Sequence, residues 1–325
     1  MDAPPPPPPP PLESTTIDNT NQALEEEAFS FACSGGGRFS FYTLASEGYS
    51  AMVGDMLKQE NLHVNKAEED GTTPLIIASE KGHSAVVELL LKQEKINVNQ
   101  ARNDGVTPLY IASEEGYLAV VELLLKQEKI DVNQAGKYGA TPLYMASQDG
   151  HSAVVELLLK HEKIDVNQAR NDGVTPLYIA SEEGYLAVVE LLLKHEKIGV
   201  NQAEEDDCTP LYMASQEGHS AVVELLLKHE KIDVNQARNT GWTPLCVASE
   251  KGHSAVVELL LKHEKINVNQ ARNDGVTPLY IASEEGYLAV VELLLKHEKI
   301  GVNQAEEDGA YIPLHCIAGG ALGCY

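Results

Sequence analysis

From Thr73 onward the apolar residues fall in two short blocks that alternate along the chain. The first follows a Thr-Pro pair, as in Leu109, Tyr110, Ile111 and Ala112; the second is denser, as in Val120, Val121, Leu123, Leu124 and Leu125. The first block reads as a short helix, Pro108 to Glu115. Asp104-Gly105 is a turn signal, Thr107 offers an N-capping hydroxyl, and Pro108 takes the first helical position, where its missing N–H costs nothing. Gly116 ends that helix as a C-cap. The second helix, from about Leu118 to Gln127, is apolar around too much of its circumference to lie on a surface, so it must be sandwiched between neighbours. Ile130 to Asn133 reads as an extended segment leading to the next turn.

The pattern has a fixed period. Its Thr-Pro pairs start at Thr73, Thr107, Thr141, Thr175, Thr209, Thr243 and Thr277, a step of 34 residues each time, and the 24 residues from Asn103 to Lys126 recur unchanged at Asn171 to Lys194 and Asn273 to Lys296. A period in this range marks a stacked repeat protein, one continuous body whose length is set by repeat number. Residues 71–308 hold seven units. Residues 38–70 match them loosely, with Phe39, Phe41 and Tyr42 where Thr-Pro-Leu belongs, and read as an N-terminal capping unit, since a terminal unit has one neighbour only. Residues 309–325 start an eighth unit and stop. The apolar flank around Val290 to Leu295 then awaits the tail folding back, a partner, or sequence that is missing.

Ahead of the body, Pro4 to Pro11 is an unbroken proline run, which allows only a polyproline II rod. It is either a stiff spacer or a ligand for an aromatic groove of the profilin, WW or SH3 type. The rest of residues 1–37 is acidic and ends in glycines, so a disordered tail is expected.

Charge narrows the partners. The net charge is −25 with a pI near 4.7. Phosphate contact is driven by Lys and Arg, so neither nucleic acid nor an anionic membrane surface is expected, whereas a basic protein partner fits. The acidity also keeps a long stack soluble and monomeric. Cys33, Cys208, Cys246, Cys316 and Cys324 are widely spaced and odd in number, which suggests neither a disulfide framework nor a zinc site, and points to reduced thiols in the cytoplasm or the nucleus. No apolar run approaches the length of a membrane span, and the N-terminus lacks the pattern of a secretory signal.

The order Asp-Gly-x-Thr-Pro-Leu-x-x-Ala, then Gly-His-x-x-Val-Val-Glu-Leu-Leu-Leu, then Asp-Val-Asn (Gly139 to Ala146, Gly150 to Leu159, Asp165 to Asn167) resembles the ankyrin repeat. The resemblance covers about Arg38 to Ala318. It implies an all-α ankyrin-repeat solenoid of helix-turn-helix pairs with β-hairpin-like loops, and a non-enzymatic scaffold or adaptor that binds a protein partner through hairpin tips and the concave face of the first helices. Two features depart from the family. The usual period is one residue shorter, the extra residue lying in Glu162-Lys163-Ile164. The family's His after Thr-Pro-Leu is Tyr110, Tyr144, Tyr178, Tyr212 and Tyr280 here, so packing is expected to replace its hydrogen bond.

Positions constant across units serve the stack, and positions that vary are the candidates for function. The varying set includes Glu114 and Glu115, then Lys137, Tyr138 and Ala140, then Cys208 and Glu217, then Trp242, the chain's one tryptophan. Trp and Tyr dominate binding hot spots, so the expected site is a mostly acidic groove anchored by Tyr138, Cys208 and Trp242. Drift among recently duplicated units would give the same variation. His161, His195, His229, His263 and His297 form a ladder that reads as solvated, because helices 8–10 Å apart cannot bring ligands to within about 2 Å of one zinc ion. Ser, His and Glu recur with translational spacing, which makes no asymmetric catalytic pocket. No cofactor and no metal are expected.

Overall fold

The computed structural model describes residues 40–302. The proline run with Pro4 and Pro11, the acidic tail and the partial eighth unit lie outside the described residues. Within them, sixteen α-helices run as eight pairs, from Phe41–Ser46 with Ser50–Leu57 to Pro278–Glu284 with Leu288–Leu295. First helices pack on first helices and second on second, from one pair to the next.

Local chemistry sets each boundary. Thr107 Oγ1 accepts from the Tyr110 N–H at 3.1 Å, and the same cap recurs at Thr73, Thr141, Thr175, Thr209, Thr243 and Thr277, with Pro next each time. In the loosely matching first pair Ser40 does the same work, accepting from Thr43 N–H at 3.0 Å. The first helix of the Thr107 unit is Pro108–Glu114, with Glu115 as its cap, and the second is Leu118–Leu125, two residues short of the expected end. Gln127 N–H bonds the Leu124 carbonyl, the tighter closure that ends the helix.

Gly116 stands at φ 76°, the left-handed region open to glycine. A Cβ there would also come within 2.7 Å of the His151 ring, so the turn of one unit is the seat of the next unit's ring. On the second helix Val120, Val121 and Leu124 are buried while Leu123 and Leu125 are partly so. Burial on both flanks joins all eight pairs into one core running from Phe41 to Leu294. Exposed Glu–Lys pairs four residues apart, Glu122–Lys126 at 2.9 Å among them, recur on the second helices and add only about 0.3–0.5 kcal/mol each.

The segment Ile130 to Asn133 is a turn rather than the expected extended strand. Ile130 and Val132 are both buried, and Asn133 N–H bonds Asp131 Oδ1 at 3.2 Å, which bends the chain. The turn is also clipped to the next unit. Asn133 Nδ2 donates to the Lys163 carbonyl at 2.7 Å, and Asn133 Oδ1 accepts from Asp165 N–H at 2.9 Å. The same pair of bonds links Asn65, Asn99, Asn167, Asn201, Asn235 and Asn269 to the loops that follow. The extra residue of the long repeat is thus held by a side chain rather than left as loose loop.

Candidate partner-binding surface

Successive hairpin tips sit side by side and are joined backbone to backbone. Asn103 N–H bonds the Asp70 carbonyl at 2.9 Å, Lys137 the Asp104 carbonyl at 2.7 Å, and Asn171 the Tyr138 carbonyl at 2.8 Å. Arg102 reaches from its hairpin to Glu80 Oε2 at 3.7 Å, so hairpin stems and the ends of first helices share one surface. The varying positions therefore fall on connected ground, as four different environments.

Lys137 and Tyr138 stand outermost. Tyr138 is 65% exposed, with φ 68°, and the Lys137 ammonium lies 4.9 Å from its ring centroid. Left-handed backbone in a tyrosine costs about 1 kcal/mol, so this tip holds its ring out against a local preference. Beside it, Tyr138, Arg170, Asn171 and Asp172 line an open notch of about 390 Å³.

Trp242 is half-buried, where the sequence placed it on an unburied tip. It packs on the small core of Tyr178, Cys208, Tyr212, Met213 and Val247, and the Arg272 guanidinium covers its ring at 4.4 Å. Arg170 and Arg238 cover Tyr144 and Tyr212 in like fashion, at 5.4 and 5.5 Å. Arg170 Nη1 also donates to Tyr144 Oη at 3.1 Å and Arg238 Nη1 to Tyr212 Oη at 3.5 Å, so these two of the replacing tyrosines have a hydrogen bond as well as packing. These arginine–aromatic lids were missed from sequence. Their signal was there, in Gln-Ala-Arg alternating with the Gln-Ala-Gly of Gly136 and the Gln-Ala-Glu of Glu204.

Ala140 and Cys208 are buried, and as surface anchors they are corrected. Ala140 packs among Val106, Tyr110 and Tyr144, and Cys208 among Tyr178 and Tyr212. The residue after the turn glycine points back into the stack because Thr, which follows it, must face the helix it caps. Burial, then Glu204, pushes the Cys208 thiol up to about 12, and burial raises Cys246. Both stay protonated at neutral pH, which disfavours thiolate chemistry.

The carboxylates divide likewise. Glu115 and Glu217 are exposed, while Glu114 is half-buried. Burial, then Asp149 and Glu115, raises the Glu114 carboxyl above its ordinary value; burial, then Glu183 and Glu217, does the same to Glu182. Each histidine of the His161 ladder accepts through Nδ1 from the N–H two residues on, as His161 does from Lys163 at 3.3 Å. Among the described residues no group of three His, Cys, Asp or Glu is placed to hold a metal ion, and no helix is long and apolar enough to cross a membrane.

A family model for ankyrin repeats matches residues 41–136, 129–204, 170–238, 194–272 and 211–308. No curated protein matches the chain. Ankyrin repeats are in general protein–protein interaction modules. With the matches running through the capping unit and all seven full units, the chain belongs to the ankyrin-repeat family.

Proposed function

We propose that this protein is a non-enzymatic adaptor that holds a protein partner, basic in character, on the surface of its hairpin tips and first-helix ends. The observation that carries this reading is Tyr138: an aromatic ring, 65% exposed, displayed on left-handed backbone next to Lys137 and an open notch. Outlying backbone that displays a large side chain is where binding sites keep their strain. Trp242 under Arg272 supplies a second, flatter contact, and Glu114, Glu115 and Glu217 supply charge complementary to a basic partner. The net charge of −25 speeds encounter with such a partner at low salt. Cytoplasm or nucleus fits the cysteine usage.

Capture from cell extract tests this. The full chain is compared with Tyr138→Asn, chosen because Asn tolerates left-handed backbone, and with a chain lacking residues 1–12. Loss of the partner from Tyr138→Asn alone supports the tip surface. Retention by Tyr138→Asn, with loss on deleting the proline run, would transfer binding to a polyproline reader and leave the solenoid a spacer.

A further inference from the structure

A second surface lies in the turns that lead from the first helices into the second. There Tyr117 and Leu118 are 36% and 43% exposed, and Tyr185 and Leu186 show the same two values. One glycine separates each pair from an exposed carboxylate, Glu115 or Glu183, and Asp149 and Glu217 hold the same place in the units that follow. The unit between them carries His151-Ser152 in place of Tyr-Leu, so these two apolar pairs come two units apart, about 20 Å at roughly 10 Å per packed helix layer.

The rings are set in fixed places. Tyr117 covers Gly82 and Tyr185 covers Gly150, each so closely that a Cβ on the glycine would stand 2.8 and 2.9 Å from the ring. Between them His151 sits on Gly116 and is tied by Nε2 to the Glu114 carbonyl at 2.9 Å. A pre-set surface loses little freedom on binding. The two units that bracket this run differ in charge: Lys81 pairs with Glu80 at 3.4 Å and Lys251 with Glu250 at 3.3 Å. The acidic run that carries these two pairs is therefore bounded at both sides; a third pair, Tyr287 and Leu288, is exposed beyond Lys251, three units from Tyr185.

We infer that this turn edge is a second docking surface, for a cationic protein segment that carries two apolar groups about 20 Å apart. The apolar groups would rest on Tyr117-Leu118 and Tyr185-Leu186, and Lys or Arg between them would meet Glu115, Asp149 and Glu183, with Glu217 one unit beyond the second pair. Opposite charge along the rim sets the sign of the partner, and the two-unit spacing sets its register. The inference rests on the protein-binding reading above; it shares Glu115 and Glu217 with that surface and uses none of the hairpin-tip residues.

The probe is a fluorescent lysine-rich peptide with two Leu-Phe pairs six residues apart, a span of about 20 Å when extended. One control has the same composition with the pairs adjacent, and another replaces lysine by glutamate. Anisotropy titrations against the full chain should show binding of the spaced lysine peptide only, weakening with added salt. The double variant Leu118→Ala/Leu186→Ala should bind at least about tenfold more weakly, as truncation of a hot spot does, and Glu115→Gln/Glu183→Gln should weaken binding and flatten the salt dependence. All four sites are exposed, so unchanged thermal melting will verify the fold. Equal binding of the three peptides, absence of binding, or indifference to the leucine variant overturns the inference. So does a dimer in sedimentation that the leucine variant abolishes, since a second copy would then cover this edge. If Tyr138→Asn keeps the peptide but loses the captured partner, the two surfaces are separate; if the peptide fails and the capture result stands, only the turn edge falls.

Discussion

Asn133 shows how much one side chain carries in a repeat. Its amide closes two bonds to the next unit, and the six equivalent asparagines do the same at their own joints. Asn133→Ala leaves the Lys163 carbonyl and Asp165 N–H to water at a semi-exposed site, so we expect a loss of about 1 kcal/mol in denaturant melts. Asn133→Asp should cost more, because it replaces the donor to Lys163 by a carboxylate facing a carbonyl. Asp207 gives the opposite case. It stands at φ 60° where six other tips have glycine at positive φ, and Asp207→Gly should stabilise the chain by about 0.5–1 kcal/mol, read as a rise in denaturation midpoint at unchanged slope. The half-buried carboxyls link stability to pH. Glu114 and Glu182 have folded values raised above the ordinary 4.5. A carboxyl raised on folding favours the folded state below the unfolded value, and that contribution is lost as pH rises through the folded one. Glu114→Gln and Glu182→Gln should therefore stabilise the chain at pH 7, and the gain should vanish below about pH 4. Melts of parent and variants at the two pH values test the sign.

At the scale of the helix pair, the second helix is held on both flanks. Leu158 is fully buried between neighbouring second helices. Leu158→Ala should cost about 2–5 kcal/mol, the price of a core cavity; a loss under half a kcal/mol would show that the packing is misread. Pattern alone located these pairs, because the caps and turns are local chemistry. A threonine hydroxyl, a proline at the first helical position and a glycine at positive φ act within a few residues of themselves. The elements misjudged from sequence are those decided across units. Ile130 to Asn133 looked extended by alternation, but both its apolar residues turn inward, Asp131 bends the chain, and the previous unit's Asn99 holds the Asp131 N–H. Ala140 and Cys208 looked like surface because they vary, yet variation at a buried site is volume exchange, Val106 for Ala140 for Cys208. Trp242 looked exposed because no sequence rule brings Arg272, thirty residues on, over its ring. Tyr117 and Leu118 belong to identical blocks and do not vary among them, so comparison of units passes over them, and their solvent exposure sets them apart.

Over the whole molecule, stability is a sum of units and joints rather than the property of a single centre. The joints are not equal. Tip-to-tip backbone bonds link most neighbours, but between the Asp206 and Asn239 tips the contact is Arg238 Nε to the Asp206 carbonyl at 3.4 Å. This joint also has Asp207 in place of glycine. The identical 24-residue blocks supply the repeated scaffold, and the proposed binding surfaces are what stands out from it: the Tyr138 tip, the arginine-lidded Trp242 and the Tyr-Leu turns. Hydrogen exchange of the full chain, alone and with its captured partner, maps the bound surface directly. This reading expects new protection at residues 136–140 and 239–242, with the buried second helices unchanged. Protection confined to residues 1–12, or none within residues 40–302, would contradict it.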